Sequence, residues 1–213
     1  MLTLPEELLL LSLDDKGHTH NVVPANLDTG LLAAAVYELQ FRGRVSIEPE
    51  GVTILDGSPT GDTVLDEVLK VLGTRQPEDL EALLSAQHGH LGWLREKVKE
   101  GLCAKGELRQ EAGLLLWLFP QREYAVEHGA EEMSLLERIT RALLLNEPAD
   151  RRTSALLTLT ASCYASDAHL RQRLFNEMRD HMYEIVNSGG EVQGVVRDSV
   201  CAALANKAPV LMP

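Results

Sequence analysis

The residues in this sequence that could carry chemistry are scattered. His18-Thr-His20 and His88-Gly-His90 are H-x-H pairs, a spacing that can bring two imidazoles to one zinc ion from a strand or loop. Neither pair is accompanied by a third ligand at a characteristic distance, so both read as solvent-facing loop histidines. Asp14-Asp15 and Asp66-Glu67 are neighbouring carboxylates. Acid–base catalysis needs such groups to converge on a cleft with separated pKa values. Adjacent residues on a helix point in different directions, so capping and solvated-surface roles fit better. GxSxG, HExxH and GxGxxG are absent. The expectation is a protein that binds rather than catalyses, without metal or cofactor.

Two segments could grip an anion. Ser58-Pro-Thr-Gly-Asp62 runs into a helix start, where free backbone N–H groups attract negative charge. It lacks the glycines and lysine of a P-loop, and the simpler reading is a turn shaped by Pro59 and Gly61 with Asp62 as N-cap. Asp150-Arg-Arg-Thr153 also opens a helix; its arginines either hold an anion or pair with nearby acids. A third segment is apolar. Leu114–Phe119 lies between Gly113 and Pro120 and suggests a strand, with Gln121–Val126 returning as its hairpin partner. On such a strand Leu115, Trp117 and Phe119 share one face, and Leu114, Leu116 and Leu118 the other. A strand apolar on both faces is either a core strand or an exposed hairpin meeting a membrane interface or an oligomer partner.

Helices must position these groups. Thr3 and Glu6 have capping-box spacing, and Leu8–Leu11 with Leu13 make the first helix apolar nearly all round, hence buried. A second helix runs from Asp28 or Thr29 to Phe41, with Leu31, Ala35 and Leu39 on one face and Gly43 at its end. Val45/Ile47 and Val52/Ile54 alternate with polar residues around Glu50-Gly51, a short β-hairpin. Amphipathic helices follow from Asp62 to Gly73, after Pro77 with Leu80, Leu83 and Leu84 inward, and from His90 to Lys105 with Leu91, Leu94, Val98 and Leu102 inward. Further helices fall near 131–146, 150–165, 167–187 and 191–206. Hydrophobic residues make up 45% and charged residues 24% of the chain, which supports a sizeable core. The expected fold is mainly α: a single domain over 1–213, with apolar core helices wrapped by amphipathic ones and one or two surface hairpins.

The formal net charge is −12, opposite in sign to the basic excess that phosphate neutralisation demands of a nucleic-acid binder. Cys103, Cys163 and Cys201 are odd in number, with no CxxC, and suit free thiols in a reducing compartment. No secretory signal or spanning segment is visible. The expected location is cytoplasmic, with any membrane contact peripheral.

Five segments together resemble the Golgi phosphoprotein 3 family. They are Leu4-Pro-Glu-Glu-Leu-Leu-Leu-Leu-Ser-Leu-Asp-Asp15, Tyr37-Glu-Leu-Gln-Phe-Arg-Gly-Arg-Val45, Pro59-Thr-Gly-Asp-Thr-Val-Leu-Asp-Glu-Val-Leu69, the spacing Leu94-x3-Val98-x3-Leu102-x2-Lys105-Gly106, and Asp150-Arg-Arg-Thr-Ser-Ala-Leu-Leu157. The match runs from about residue 2 to 160 and fades beyond. The resemblance implies a mainly helical domain with a protruding β-hairpin. It implies peripheral membrane adaptors rather than enzymes; eukaryotic members bind phosphatidylinositol 4-phosphate and hold the cytosolic tails of glycosylation enzymes. The four positions of the family's lipid pocket fall on Val23, Leu32, Gly92 and Arg95, so a single arginine keeps its charge, and Arg95, Trp93 and Lys97 are the candidate headgroup residues. The family's hydrophobic hairpin falls on Leu114–Phe119, which makes Leu115, Leu116, Trp117 and Phe119 candidates for membrane or self-association contacts. Anionic lipid, a membrane surface or a protein partner are therefore the expected ligands. The rival readings are a winged-helix-like nucleic-acid binder, suggested by a helix at 90–105 followed by a hairpin, and a protein-interaction module without lipid binding.

Overall fold

The computed structural model describes residues 1–14, 16–19, 24–74, 79–87, 91–115, 119–145, 147–164, 182 and 184–205. The chain is mainly helical with two separate two-stranded antiparallel sheets. Helix α1 (Leu4–Leu11) starts on the expected capping box: the Thr3 backbone N–H donates to Glu6 Oε2 at 2.6 Å. It is buried throughout its first seven residues, glutamates included.

Helix α2 (Pro24–Phe41) begins a turn earlier than its sequence pattern suggests; proline is tolerated in a first turn because its missing N–H has no helical acceptor there. The second departure is burial. Leu31, Ala35 and Leu39 were expected to define one inward face, yet Leu27, Leu32, Ala33, Ala34 and Val36 are equally enclosed. Small side chains let neighbouring helices close on every side. A Cβ on Gly30 would sit 2.1 Å from the Cys163 sulfur, so Cys163 packs directly on that backbone. Gly43, at φ +66°, ends the helix, and the Arg44 N–H returns to the Leu39 carbonyl at 2.9 Å, a left-handed glycine stop.

Strands β1 (Val45–Glu48) and β2 (Gly51–Ile54) pair in the register Val45↔Ile54 to Glu48↔Gly51. Helices α3 (Thr63–Gly73), α4 (Leu80–Gln87) and α5 (Gly92–Ala104) follow, with the expected leucines and valines inward. Asp62 Oδ1 accepts from the N–H groups of Val64 and Leu65, the N-cap read from sequence.

The second hairpin corrects the sequence reading. Its strands are β3 (Leu108–Leu115) and β4 (Phe119–Val126), paired from Leu108↔Val126 to Leu115↔Phe119. The first strand thus starts six residues before Leu114, and the chain reverses inside the apolar run. Leu108-Arg-Gln-Glu-Ala-Gly113 reads as a polar lead-in because it carries no apolar alternation to mark a strand. Pro120, taken as a stop, lies within β4 opposite Leu114, as an edge strand permits.

Helices α6 (Ala130–Leu144), α7 (Arg151–Tyr164) and α8 (Glu191–Ala205) complete the labelled elements. The helix expected at 167–187 lies mostly outside the described residues; Met182 and 184–188 are helical. The main core joins α1, α2, α3, α4, α5, α7, α8 and the first hairpin, with Leu135 of α6 and Leu108 and Tyr124 at the base of the second hairpin. A smaller cluster joins Ala142, Leu143 and Leu157 to Met182, Ile185 and Val186.

Candidate functional site

Among the described residues, the second hairpin is anchored near its base. Leu108 and Tyr124 are buried near its base. The Tyr124 hydroxyl donates to Glu96 Oε2 at 3.2 Å, and Lys99 Nζ lies 4.7 Å from the ring centre, a favourable cation–π distance. Gly17, at φ +71°, presses against the Tyr124 carbonyl so closely that a Cβ would overlap it. Buried Glu107 ties the other strand to α6: its carboxylate accepts from the Glu132 N–H at 3.3 Å, at a helix start where negative charge is favoured. Beyond these contacts, among the described residues, α5 is the one helix that packs to any extent on either strand. Leu115 and Phe119 stand opposite each other at the far end. Leu116 and Trp117 lie outside the described residues.

Of the residues expected to serve a headgroup, the structure separates Arg95 from the other two. Arg95 Nη1 is 3.3 Å from Asp28 Oδ1, on the side of α5 that also carries Lys99 one turn on. Burial pushes the Asp28 carboxyl above the usual aspartate range, with Arg95 and then Lys99 opposing. Trp93 and Lys97, one turn apart on another face, are exposed and half-buried. Lys97 lies in the field of Glu67, whose carboxyl is held low chiefly by its hydrogen bond to Lys70. Leu32 is in the core, Gly92 is the first residue of α5, and Val23 is outside the described residues. Asp28 was missed as a functional neighbour because its meeting with Arg95 spans 67 positions and leaves no local pattern.

Two further cations at α5 are likewise engaged. Lys99 Nζ is 3.0 Å from Glu96, and Lys105 Nζ, just beyond the helix, is 2.5 Å from Glu6. This is not the free basic face that DNA backbone contacts require.

The two candidate anion loops resolve differently. In Ser58–Asp62 the hydrogen-bonding groups are spoken for. Arg44 bonds the Ser58 hydroxyl at 2.6 Å and pairs with Asp56, and the Thr60 N–H donates to Asp66 Oδ1. In Asp150–Thr153, Asp150 caps the helix by accepting from the Thr153 N–H at 2.7 Å. Arg152 reaches both Glu7 oxygens at 3.2 Å, Glu38 Oε2 at 2.9 Å and the Leu2 carbonyl at 2.8 Å. Arg138 adds a bond to Glu7 at 2.8 Å. Burial is the largest influence on Glu7 and raises its pKa despite both arginines. Arg152 is thus a structural tie between α7 and the two core helices.

His18 sits in a turn where Asp14 Oδ1 accepts its N–H at 2.9 Å. His20, His88 and His90 lie outside the described residues. Among the described residues no group of three or more His, Cys, Asp or Glu side chains could hold a metal, and no helix is long and apolar enough to cross a membrane.

The model of the Golgi phosphoprotein 3 family matches residues 4–203. The chain belongs to that family. The match continues past residue 160, where the resemblance read by eye fades, and runs through α7 into α8. Vacuolar protein sorting-associated protein 74 of Eremothecium gossypii is 27% identical over 164 residues, covering 67% of this chain and 49% of the relative. The chain therefore spans about half the length of the curated relative it matches. Family membership fits a mainly helical body carrying a hairpin, and it directs attention to that hairpin and to α5.

Proposed function

We propose that this protein is a non-enzymatic peripheral membrane adaptor whose membrane contact is the far end of the β3–β4 hairpin. The observation that carries the reading is the register. It pairs Leu114 with Pro120 and Leu115 with Phe119 at the end of two eight-residue strands farthest from the buried Leu108 and Tyr124, and the apolar run Leu114–Phe119 spans those pairs in the sequence. Apolar and aromatic side chains placed there have a use only if something outside the monomer covers them. The sorting role named for the fungal relative supports an adaptor rather than a catalyst, and phosphatidylinositol 4-phosphate is the lipid suggested by the family.

Headgroup recognition at Arg95 contributes little on this reading. An incoming phosphate would have to draw Arg95 away from a buried carboxylate, and strong phosphate sites combine several charge-assisted bonds. Trp93 and Lys97 face elsewhere. The contact is therefore mainly apolar and tolerant of lipid charge.

Co-sedimentation with phosphatidylcholine vesicles, with and without phosphatidylinositol 4-phosphate, tests this. Wild type binds both compositions, and Trp117→Ser with Leu116→Ser loses both. No binding to either vesicle, or a double variant that sediments like wild type, overturns the membrane contact. Concentration-dependent dimerisation abolished by the same substitutions, without vesicle binding, would reassign the hairpin to self-association.

A further inference from the structure

A cavity of about 330 Å³ lies away from both the hairpin and Arg95, between the starts of α7 and α8. Tyr37 of α2, Arg151 and Ser154 of α7, and the Ser188–Glu191 turn line it. Three observations make it more than a surface dent. Tyr37 is 5% exposed, and its hydroxyl has no hydrogen-bond partner among the described residues. Its ring is held by stacking on Phe41 at 4.8 Å, so the phenol is fixed. Arg151 is exposed and, unlike Arg152 beside it, has no hydrogen bond or ion pair among the described residues. Its charge nonetheless reaches the Tyr37 phenol, opposing the upward push of burial on that group, and both residues line the same cavity.

The α8 end is open in the same direction. Gln193 and Gly194 are the first residues of α8 to return their N–H groups to the Gly190 carbonyl. The N–H groups of Glu191 and Val192 precede the first helical acceptor, and both residues line the cavity. The turn is rigid: Gln193 Nε2 bonds Thr158 Oγ1 at 2.7 Å and the carbonyls of Ile185 and Val186. A side chain on Gly189 would overlap Gln193, whereas one on Gly190 would meet nothing.

We propose that this cavity binds a small phosphate monoester. An oxyanion there accepts from the Tyr37 hydroxyl, from a guanidinium able to bond two oxygens at once, and from backbone N–H groups at a helix start. The Ser154 hydroxyl is a further donor at the wall. The volume is at the lower end of small-molecule sites and exceeds what bare phosphate fills, which leaves room for a compact organic body. Glu191 also lines the cavity and makes no ion pair with Arg151 among the described residues. It disfavours a second negative charge and can accept from a hydroxyl, so the body is neutral and hydroxylated. This site is independent of the hairpin, and its failure would leave the membrane contact untouched.

Calorimetric titration of the full chain with inorganic phosphate and with glycerol 3-phosphate tests the proposal. Both bind, the ester more tightly. Arg151→Gln weakens the ester about tenfold or more, and Tyr37→Phe, which removes one oxygen, weakens it severalfold. Far-UV circular dichroism melts establish that each variant is folded. Absence of binding by either anion, or folded variants that bind like wild type, overturns the site. Vesicles containing phosphatidic acid separate the two sources of a phosphate monoester. Binding that is lost in Arg151→Gln assigns the group to a lipid headgroup; binding indifferent to Arg151, alongside Arg151-dependent binding of the free ester, assigns it to a soluble molecule.

Discussion

The two hairpins are built on the same antiparallel principle and differ in strand length and in where their apolar residues fall along the strands. The first has four-residue strands packed on α2, α3 and α8. Val45, Ile47 and Val52 point into the main core. The second has strands twice as long, held at its base by Tyr124, Leu108 and Glu107, while its apolar residues cluster at the far end. In the first hairpin hydrophobicity lies inside the molecule; in the second, the proposed membrane contact assigns it to a surface outside. Apolar content alone therefore does not distinguish a core strand from a contact surface. What distinguishes them is whether the apolar residues alternate along the strand or gather at its turn.

The largest effect that would test this contrast lies in the first hairpin. Ile47 is 2% exposed, and Ile47→Ala is expected to cost about 2–5 kcal/mol through lost burial and the cavity left behind. Urea denaturation measures it, and a cost under about 1 kcal/mol, within the range of surface substitutions or little above it, would mean the first hairpin is no more integral than the second.

The anchored base of the second hairpin should respond less. Glu107→Gln keeps the shape but removes the negative charge at the start of α6, with an expected loss of about 1 kcal/mol. Tyr124→Phe removes the bond to Glu96 and is expected to cost about 0.5–1.5 kcal/mol. If either variant instead matched Ile47→Ala, the hairpin would be packed along more of its length than its base.

Much of this architecture is legible in the sequence because its signals are local. The Thr3–Glu6 capping box, the Asp62 cap, the Gly43 and Gly106 stops and the inward leucines of α4 and α5 depend on residues within a turn or two of each other. The second hairpin departs from its sequence reading for a physical reason: Arg109-Gln-Glu111 carry no apolar alternation to mark β3, and the apolar run that does stand out straddles the ends of the two strands. The candidate site was legible only in part. Arg95 carries no local sign that α2 will bring Asp28 to it, just as nothing beside Arg152 announces Glu7 and Glu38. Adjacent arginines at 151 and 152 look equivalent in one dimension, yet one is tied into the core and the other is left at a cavity.

A smaller effect separates Arg95 from a free lipid ligand. Asp28 has a pKa raised by burial, so its protonated form is the better accommodated in the fold. Its favourable contribution is complete below the ordinary aspartate value and is lost as pH rises through the raised one. Asp28→Asn is thus expected to gain about 1 kcal/mol or less near pH 7, offset in part by the partner Arg95 loses, with the gain shrinking as pH falls toward 4. Thermal melts across that range measure it. A destabilised variant at neutral pH would show that the Arg95 pair outweighs burial, and would make α5 still less available to a headgroup.

The smallest stability effect carries the sharpest test of the contrast. Leu115→Ser with Phe119→Ser changes the last cross-strand pair before the reversal. If that end is reserved for an external surface, stability in solution shifts by no more than about 0.5 kcal/mol, as for substitutions outside the core. Vesicle binding falls markedly at the same time. An apolar pair of the first hairpin, Val45 and Ile54 at its open end, cannot separate the two readouts, because Val45 belongs to the core that the whole fold depends on. A double variant that lost several kcal/mol would place the second hairpin's apolar end inside the molecule and remove the basis for assigning it a partner. Unchanged stability with unchanged vesicle binding would instead leave the membrane contact to another surface.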